Sequence, residues 1–175
     1  MPNILVIYST TDGHTIEICQ EIQSILEQHG NAVDLISINE ASQVDVMKYE
    51  KTVIGASIRY GKHSKSVVEF VQRHKKELEK IPTAFFSVNV VARKPNKDRP
   101  DNNPYMKKFL QQVAWEPDEL EVFAGKIDYQ KYRFIDRQMI RLIMYITKGP
   151  TDPKSVNDFT NWEQVRKFGE VINRM

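Results

Sequence analysis

The sequence describes an α/β protein built on a doubly wound, five-stranded parallel sheet. Two observations carry that expectation. Ile4 to Tyr8 is an unbroken apolar run, whereas a strand with one wet face alternates apolar with polar, so this strand is buried on both faces. Four more strand-like runs follow, at Ala32 to Ile38, Thr52 to Ser57, Thr83 to Val91 and Leu120 to Ile127, with helical spacing between them. Strands alternating with helices favour parallel pairing with helices on both faces of the sheet.

After the first strand comes a turn of hydroxyls, Ser9 to Thr15, and then apolar residues at Ile16, Cys19, Ile22, Ile25 and Leu26, the spacing of an amphipathic helix. Gly30 ends that helix. Ala32 to Ile38 alternates, as suits a strand nearer the sheet edge, and Asn39 to Tyr49 reads as a loop with a short helix. The third strand runs into a loop, Ile58 to His63. Val67, Val68, Phe70 and Val71 mark the next helix, whose outer face carries Arg73, Lys75, Lys76 and Lys80. Pro82 closes it. The fourth strand leads into a polar, proline-rich loop from Arg93 to Pro104, followed by a helix from Tyr105 to Ala114 and the fifth strand. The last helix, from about Asn161 to Asn173, is expected to pack Trp162, Val165, Phe168 and Val171 or Ile172 on the sheet.

About thirty residues, roughly 128 to 158, exceed what such a fold needs. Tyr129, Tyr132 and Phe134 lead there into Ile135, Met139, Leu142, Ile143 and Ile146, with Arg137, Arg141 and Lys148 on another side and Ile140 and Met144 between. This is a basic amphipathic helix, too short and too charged to span a bilayer, which takes ~20 apolar residues. It is suited either to lie in a membrane surface over about 129 to 148 or to pack on the domain.

Composition sets the outer limits. The 175 residues are expected to form one domain. The single cysteine, Cys19, lies on the apolar helix face, so neither a disulfide framework nor a thiolate metal site is expected. No signal-peptide pattern opens the chain, so it is expected in the cytoplasm or on the membrane's cytoplasmic face. Net charge is +2, but residues 89 to 150 hold 12 basic and 8 acidic side chains, so the positive excess sits mid-chain. No metal and no nucleic acid are expected as partners, and the oligomeric state is left open.

The turn from Ser9 to Thr15 joins the carboxyl end of a buried strand to a helix N-terminus, where free N–H groups and the helix dipole favour a phosphate. Ser9, Thr10, Thr11 and Thr15 add hydroxyls, and Gly13 lets the backbone approach closely. The turn has no lysine, as a triphosphate loop requires, and one glycine where a dinucleotide fingerprint has three. Two readings stand: a monophosphate cradle, or an ordinary capped turn.

The pattern aromatic-Ser-Thr-x-x-Gly-x-Thr at Tyr8 to Thr15 resembles the phosphate loop of flavodoxins, which bind FMN. The resemblance sharpens at Gly55-Ala56-Ser57-Ile58-Arg59-Tyr60-Gly61 and at Phe86-Ser87-Val88-Asn89-Val90-Val91-Ala92-Arg93-Lys94-Pro95. It continues through Tyr132-Arg133, Asp136-Arg137, Met139-Ile140, Leu142-Ile143-Met144 and Thr160-x-Trp162-Glu163. Together these resemble the bacterial flavodoxin-like protoporphyrinogen oxidases of haem biosynthesis, which are quinone-dependent dehydrogenases.

The resemblance implies a non-covalent FMN that takes electrons from protoporphyrinogen IX and passes them to menaquinone or ubiquinone at the cytoplasmic face of the inner membrane. Ser9, Thr10, Thr11, Asp12, Gly13, His14 and Thr15 are then expected at the phosphate. Ser57, Ile58, Arg59, Tyr60 and Gly61, with Ser87, Val88, Asn89, Val90, Val91, Ala92 and Arg93, are expected to flank the ring. Arg59, Arg93, Lys94, Arg133 and Arg137 are candidates to meet the two substrate propionates. Tyr60 is expected over one flavin face, with the other open because the loop after the fourth strand has no aromatic residue. His14 and His63 lie in site loops, but no catalytic acid or base is assigned. Two other functions share the fold, an electron carrier and a nicotinamide-linked quinone reductase. The basic middle segment argues against the first, and the lack of a dinucleotide motif against the second.

Overall fold

The structure, a computed structural model, describes all residues from Met1 to Met175. Strand β1 (Asn3–Ser9) lies between β2 (Ala32–Ser37) and β3 (Lys51–Arg59), parallel to both, which is why its run is apolar on both faces. Beyond β3 follow β5 (Thr83–Asn89) and β6 (Glu119–Ala124), so the parallel order is β2-β1-β3-β5-β6. The chain leaves β1 toward one edge and returns beside it as β3. That reversal opens a crevice at the carboxyl ends of β1 and β3, where ligands of such sheets sit.

Helices α1 (His14–Gln28) and α5 (Trp162–Arg174) cover one face, over Ile4, Val6, Val53, Phe86 and Phe123. Helices α2 (Lys65–Leu78) and α3 (Pro104–Val113) cover the other, over Leu5, Ile7, Ile54 and Phe85. Caps set where these helices begin: the Ser64 hydroxyl accepts from the Val67 N–H at 3.3 Å, and Asn103 accepts from Tyr105 and Met106. Gly55, in mid-strand, makes room for a neighbour, since a Cβ there would fall 2.1 Å from the Phe86 ring.

Three readings of strand limits are corrected by the structure. The fourth strand of the sheet stops at Asn89, because the Asn89 side chain accepts the Ala92 N–H at 3.1 Å and turns Val90–Arg93 into a 3-10 turn. The run read as one fifth strand breaks at Gly125, and Lys126–Asp128 (β7) leaves the sheet to pair antiparallel with Val156–Asp158 (β8). Third, β3 extends through Arg59 and folds back on Lys62–His63 (β4) as a hairpin, where the sequence suggested a loop.

The insertion forms helix α4 (Phe134–Ile146), tied down by a small cluster of Ile127, Tyr129, Tyr132 and Met144 separate from the two main cores. No helix is long and apolar enough to cross a membrane.

Candidate functional site

The turn after β1 begins the site. Gly13 stands before α1 with φ of 86°, a conformation that glycine adopts without a steric cost, and a Cβ there would meet nothing within 4 Å. Of the N–H groups from Thr10 to Thr15, that of Gly13 alone finds an acceptor, the Thr10 hydroxyl at 2.9 Å. The Thr15 hydroxyl is buried and has no partner at all. An unspent buried donor beside unpaired amides at a helix N-terminus is the arrangement that accepts an anion. The same turn holds one acid: burial raises the pKa of Asp12, while Arg59 and then Lys131 act against the rise. His14 is spoken for structurally. Its Nδ1 lies 3.1 Å from Glu17 and its Nε2 2.6 Å from the Thr160 hydroxyl, which in turn donates to the Ala124 carbonyl at 2.8 Å.

The β3–β4 hairpin forms a second wall. Arg59 pairs with Lys62 across a two-residue turn, and both turn residues, Tyr60 at φ 51° and Gly61 at φ 76°, have the positive φ that this tight turn demands. Glycine takes that conformation freely, whereas at Tyr60 it costs about 1–2 kcal/mol. What holds Tyr60 there is visible: its hydroxyl donates to Asp136 of α4, and the Arg59 guanidinium donates to the same carboxylate. The Tyr60 hydrogen bond, followed by the Arg59 charge, holds the Asp136 carboxyl below the usual carboxylate range, with burial opposing them.

A buried polar chain braces the loop after β5. His63 Nε2 lies 2.8 Å from the Ser87 hydroxyl, Asn89 donates to that hydroxyl at 3.1 Å, and Asn103 donates to Asn89 at 3.0 Å. Burial pushes the His63 pKa down to about 3, so the ring is neutral and fixed in the core between Phe85 and Phe109. This corrects the reading of His63 as a residue of a site loop.

These walls and α4 enclose a cavity of about 530 Å³ at the carboxyl ends of the strands. Of the residues nominated from sequence, Thr10, Thr11, Asp12, His14, Thr15, Ser57, Ile58, Arg59, Tyr60, Gly61, Val88, Asn89, Val90 and Val91 line it. Ser9, Gly13, Ser87 and Ala92 stand behind the lining: Ser9 donates to the Ser64 hydroxyl at 3.2 Å, and Ser87 and Ala92 are buried in the core. Among the five cationic candidates, Arg59 alone reaches the cavity. Arg93 instead caps α4, donating to the Thr147 carbonyl and hydroxyl at 3.1 Å each and to the Val90 carbonyl at 3.2 Å. Arg137 donates to the Tyr129 carbonyl at 2.9 Å, Arg133 is exposed, and Lys94 is half-buried away from the lining.

The sequence reading missed the far wall. Met139, Ile140, Ile143 and Met144 of α4 face the cavity together with Asp136, Tyr105, Lys126 and Tyr132. That wall is lined by aliphatic and thioether groups. Asp136 had a sequence signal: it is the one acid of its helix, placed in the first turn, where an acid suits the helix dipole. A larger and more open depression of about 880 Å³ lies at the opposite end of the sheet, lined by residues such as Glu79, Lys80, Leu110 and Pro117. It gathers none of the loops at the switch point, and the Trp115 indole N–H beneath it is sealed from solvent.

A 2-1-3-5-6 parallel sheet with a hydroxyl-lined, anion-ready turn at its switch point defines a class. The chain belongs to the flavodoxin-domain family, whose sequence model matches residues 5–154. Curated relatives narrow the class. Protoporphyrinogen IX dehydrogenase (quinone) of Escherichia coli (strain K12) is 42% identical over 168 residues, which is 96% of this chain and 93% of that protein. A protein of the same name from Leishmania major is 41% identical over 95% of this chain and 73% of its own length. Among solved structures, an archaeal flavodoxin superposes with a TM-score of 0.55 at 12% identity, covering 98% of this chain and 96% of its own. A short-chain flavodoxin associated with a PDU bacterial microcompartment does so with 0.55 at 14% identity over 99% and 98%. The structural likeness establishes the fold, and the close relatives make the chain an oxidoreductase. The flavodoxin domain points to a flavin as its cofactor.

Proposed function

We propose that this chain is an FMN-dependent enzyme of haem biosynthesis that oxidises protoporphyrinogen IX to protoporphyrin IX and delivers the electrons to menaquinone or ubiquinone. The observation that carries the reading is the 42% identity to relatives of that name along 96% of the chain, the insertion included. The residues present fit the cofactor: the partnerless Thr15 hydroxyl and the free amides of Thr10 to Thr15 suit its phosphate. The chemistry that FMN would supply when bound is acceptance of two electrons and their release to the quinone, three such rounds removing the six electrons and six protons that separate protoporphyrinogen IX from protoporphyrin IX.

The chain's own contribution is binding and exclusion. Thr10, Thr11 and Thr15 hold the phosphate, while the backbone of Ser57 to Gly61 and Val88 to Val91 flanks the ring. Arg59 meets a substrate propionate as a charge-assisted hydrogen bond. Met139, Ile140 and Ile143 shed water from the cavity and offer a surface against which a flat macrocycle packs. No side chain is asked to act as general base.

The outer face of α4 supports a peripheral site of action. Phe134, Ile135, Leu142, Tyr145 and Ile146 are exposed, at 60–77% of their surface, with Lys131, Arg133 and Lys148 exposed beside them. Such a face lies in the surface of the cytoplasmic membrane leaflet, near the quinone pool. The test of the function is anaerobic turnover of protoporphyrinogen IX by the FMN-loaded protein, with and without a menaquinone analogue, followed by porphyrin fluorescence. Quinone-dependent porphyrin is the expected result. Flavin binding without porphyrin formation, whatever the quinone, refutes it.

A further inference from the structure

Helix α4 roofs the cavity, yet only two of its residues are buried, Asp136 near its start and Met144 near its end. Both ends are anchored outside the helix. Beyond its last turn the chain is pinned by Arg93 on Thr147, by Arg141 on the Thr151 carbonyl at 2.9 Å, and by the Gly149 N–H on the Met144 carbonyl at 2.6 Å. Before its first turn the buried Tyr129 and Tyr132 hold the chain, and Arg137 donates to the carbonyls of both. The first two turns of α4 are tied to the parallel sheet by polar contacts at one point, Asp136, held by Arg59 and Tyr60.

That one point is chemically exchangeable. Arg59 spends one guanidinium nitrogen on Asp136, lines the cavity, and is the sole cavity-lining arginine. Its other nitrogens remain to receive a second carboxylate in the planar, two-pronged manner that guanidinium favours. Two carboxylates sharing one guanidinium repel each other. Space points the same way. A cavity of about 530 Å³ lies within the range that serves a single small-molecule ligand, roughly 300–1,000 Å³, and α4 forms one wall of it, so a second ligand beside a flavin comes against that helix.

We propose that Asp136 is a place-holder on Arg59: a carboxylate of the incoming substrate takes the guanidinium, Asp136 lets go, and the first two turns of α4 loosen over the cavity while its last turns stay in place. This inference rests on the carboxylate-bearing substrate of the function given above. Asp136 acts through Arg59 and is a positioning residue. The tight turn at Tyr60, strained and tethered to the same carboxylate, is released in the same event.

The experiment is amide hydrogen exchange of the FMN-loaded protein, read separately over residues 134–140 and 141–146. The probes are mesoporphyrin, a non-reactive porphyrin dicarboxylic acid, and its dimethyl ester. With the diacid, exchange over 134–140 rises by about tenfold while 141–146 is unchanged, and the ester produces no such rise. In Asp136→Asn the 134–140 segment exchanges fast without any porphyrin, the diacid adds nothing further, and the diacid binds more tightly than to wild type. A diacid that binds without releasing 134–140, an ester that works as well, or an Asp136→Asn protein with wild-type protection overturns the proposal. The wild-type comparison needs no variant to fold. A diacid that does not bind at all overturns both this proposal and the function it rests on, so the two failures are told apart.

Discussion

Replacing Thr15 with valine should make the flavin-free protein more stable and the flavin site weaker, two changes of opposite sign from one atom. The Thr15 hydroxyl is buried and has no hydrogen-bond partner within the chain. A buried donor left without a partner costs about 1–3 kcal/mol, and valine has nearly the same shape and helix propensity. A gain of about 1 kcal/mol raises Tm by about 2–4 °C for a chain of this size. With FMN present the hydroxyl is a hydrogen-bond donor to a charged phosphate, worth about 1.5–3 kcal/mol, so Kd should rise by roughly 10- to 100-fold. Thermal melts without flavin and fluorescence titration with FMN read the two effects, and Thr15→Ser, which keeps the hydroxyl, should bind FMN much as wild type does. A lower Tm in the free protein, or an unchanged Kd, would refute the argument that this hydroxyl is held in reserve for the phosphate.

Gly55→Ala should destabilise the fold by about 1–3 kcal/mol in urea, because a Cβ 2.1 Å from the Phe86 ring forces the core to shift; an unchanged midpoint would contradict that packing. His63 gives a pH dependence of known sign. The unfolded chain takes up its proton near the ordinary imidazole value of 6.5 and the folded chain only near about 3, so stability is full above 6.5 and falls as pH drops toward 3. The loss attributable to this ring reaches at most roughly 1.4 kcal/mol per pH unit, and urea titrations should show it shrinking in His63→Gln. On the membrane, Ile135→Ser with Ile146→Ser should release the protein from anionic vesicles in a flotation assay while FMN binding persists, since both residues are exposed and neither lines the cavity. Ile143 is unsuited to that test because it faces the cavity. Retention of the double variant on the vesicles would rule out this face as the anchor.

Much of the fold was legible because it is written in local periodicity. The run from Ile4 to Tyr8 has one physical meaning, burial on both faces, and β1 pairs on both sides as that requires. The hydroxyl turn with Gly13 and the helix behind it is likewise a local object, so Thr10, Thr11, Asp12, His14 and Thr15 fell on the cavity wall without any knowledge of distant neighbours. Strand ends were less legible. Asn89 stops β5 by accepting the Ala92 N–H, and Val90 and Val91, good strand formers, follow it into the turn.

The arginines mark the boundary. From sequence, Arg59, Arg93 and Arg137 are equivalent basic residues near a site, but a guanidinium binds whatever acceptor comes within reach, and only the fold decides which. It brings Thr147 to Arg93, Tyr129 to Arg137, and Asp136 to Arg59 across 77 residues of chain. The same holds for α4. Its spacing determined by itself that a basic amphipathic helix would form between the last strand of the parallel sheet and the last helix. Periodicity says which side chains share a face, not what that face meets, so the division of α4 into a cavity wall and an exposed apolar surface came only from the tertiary structure.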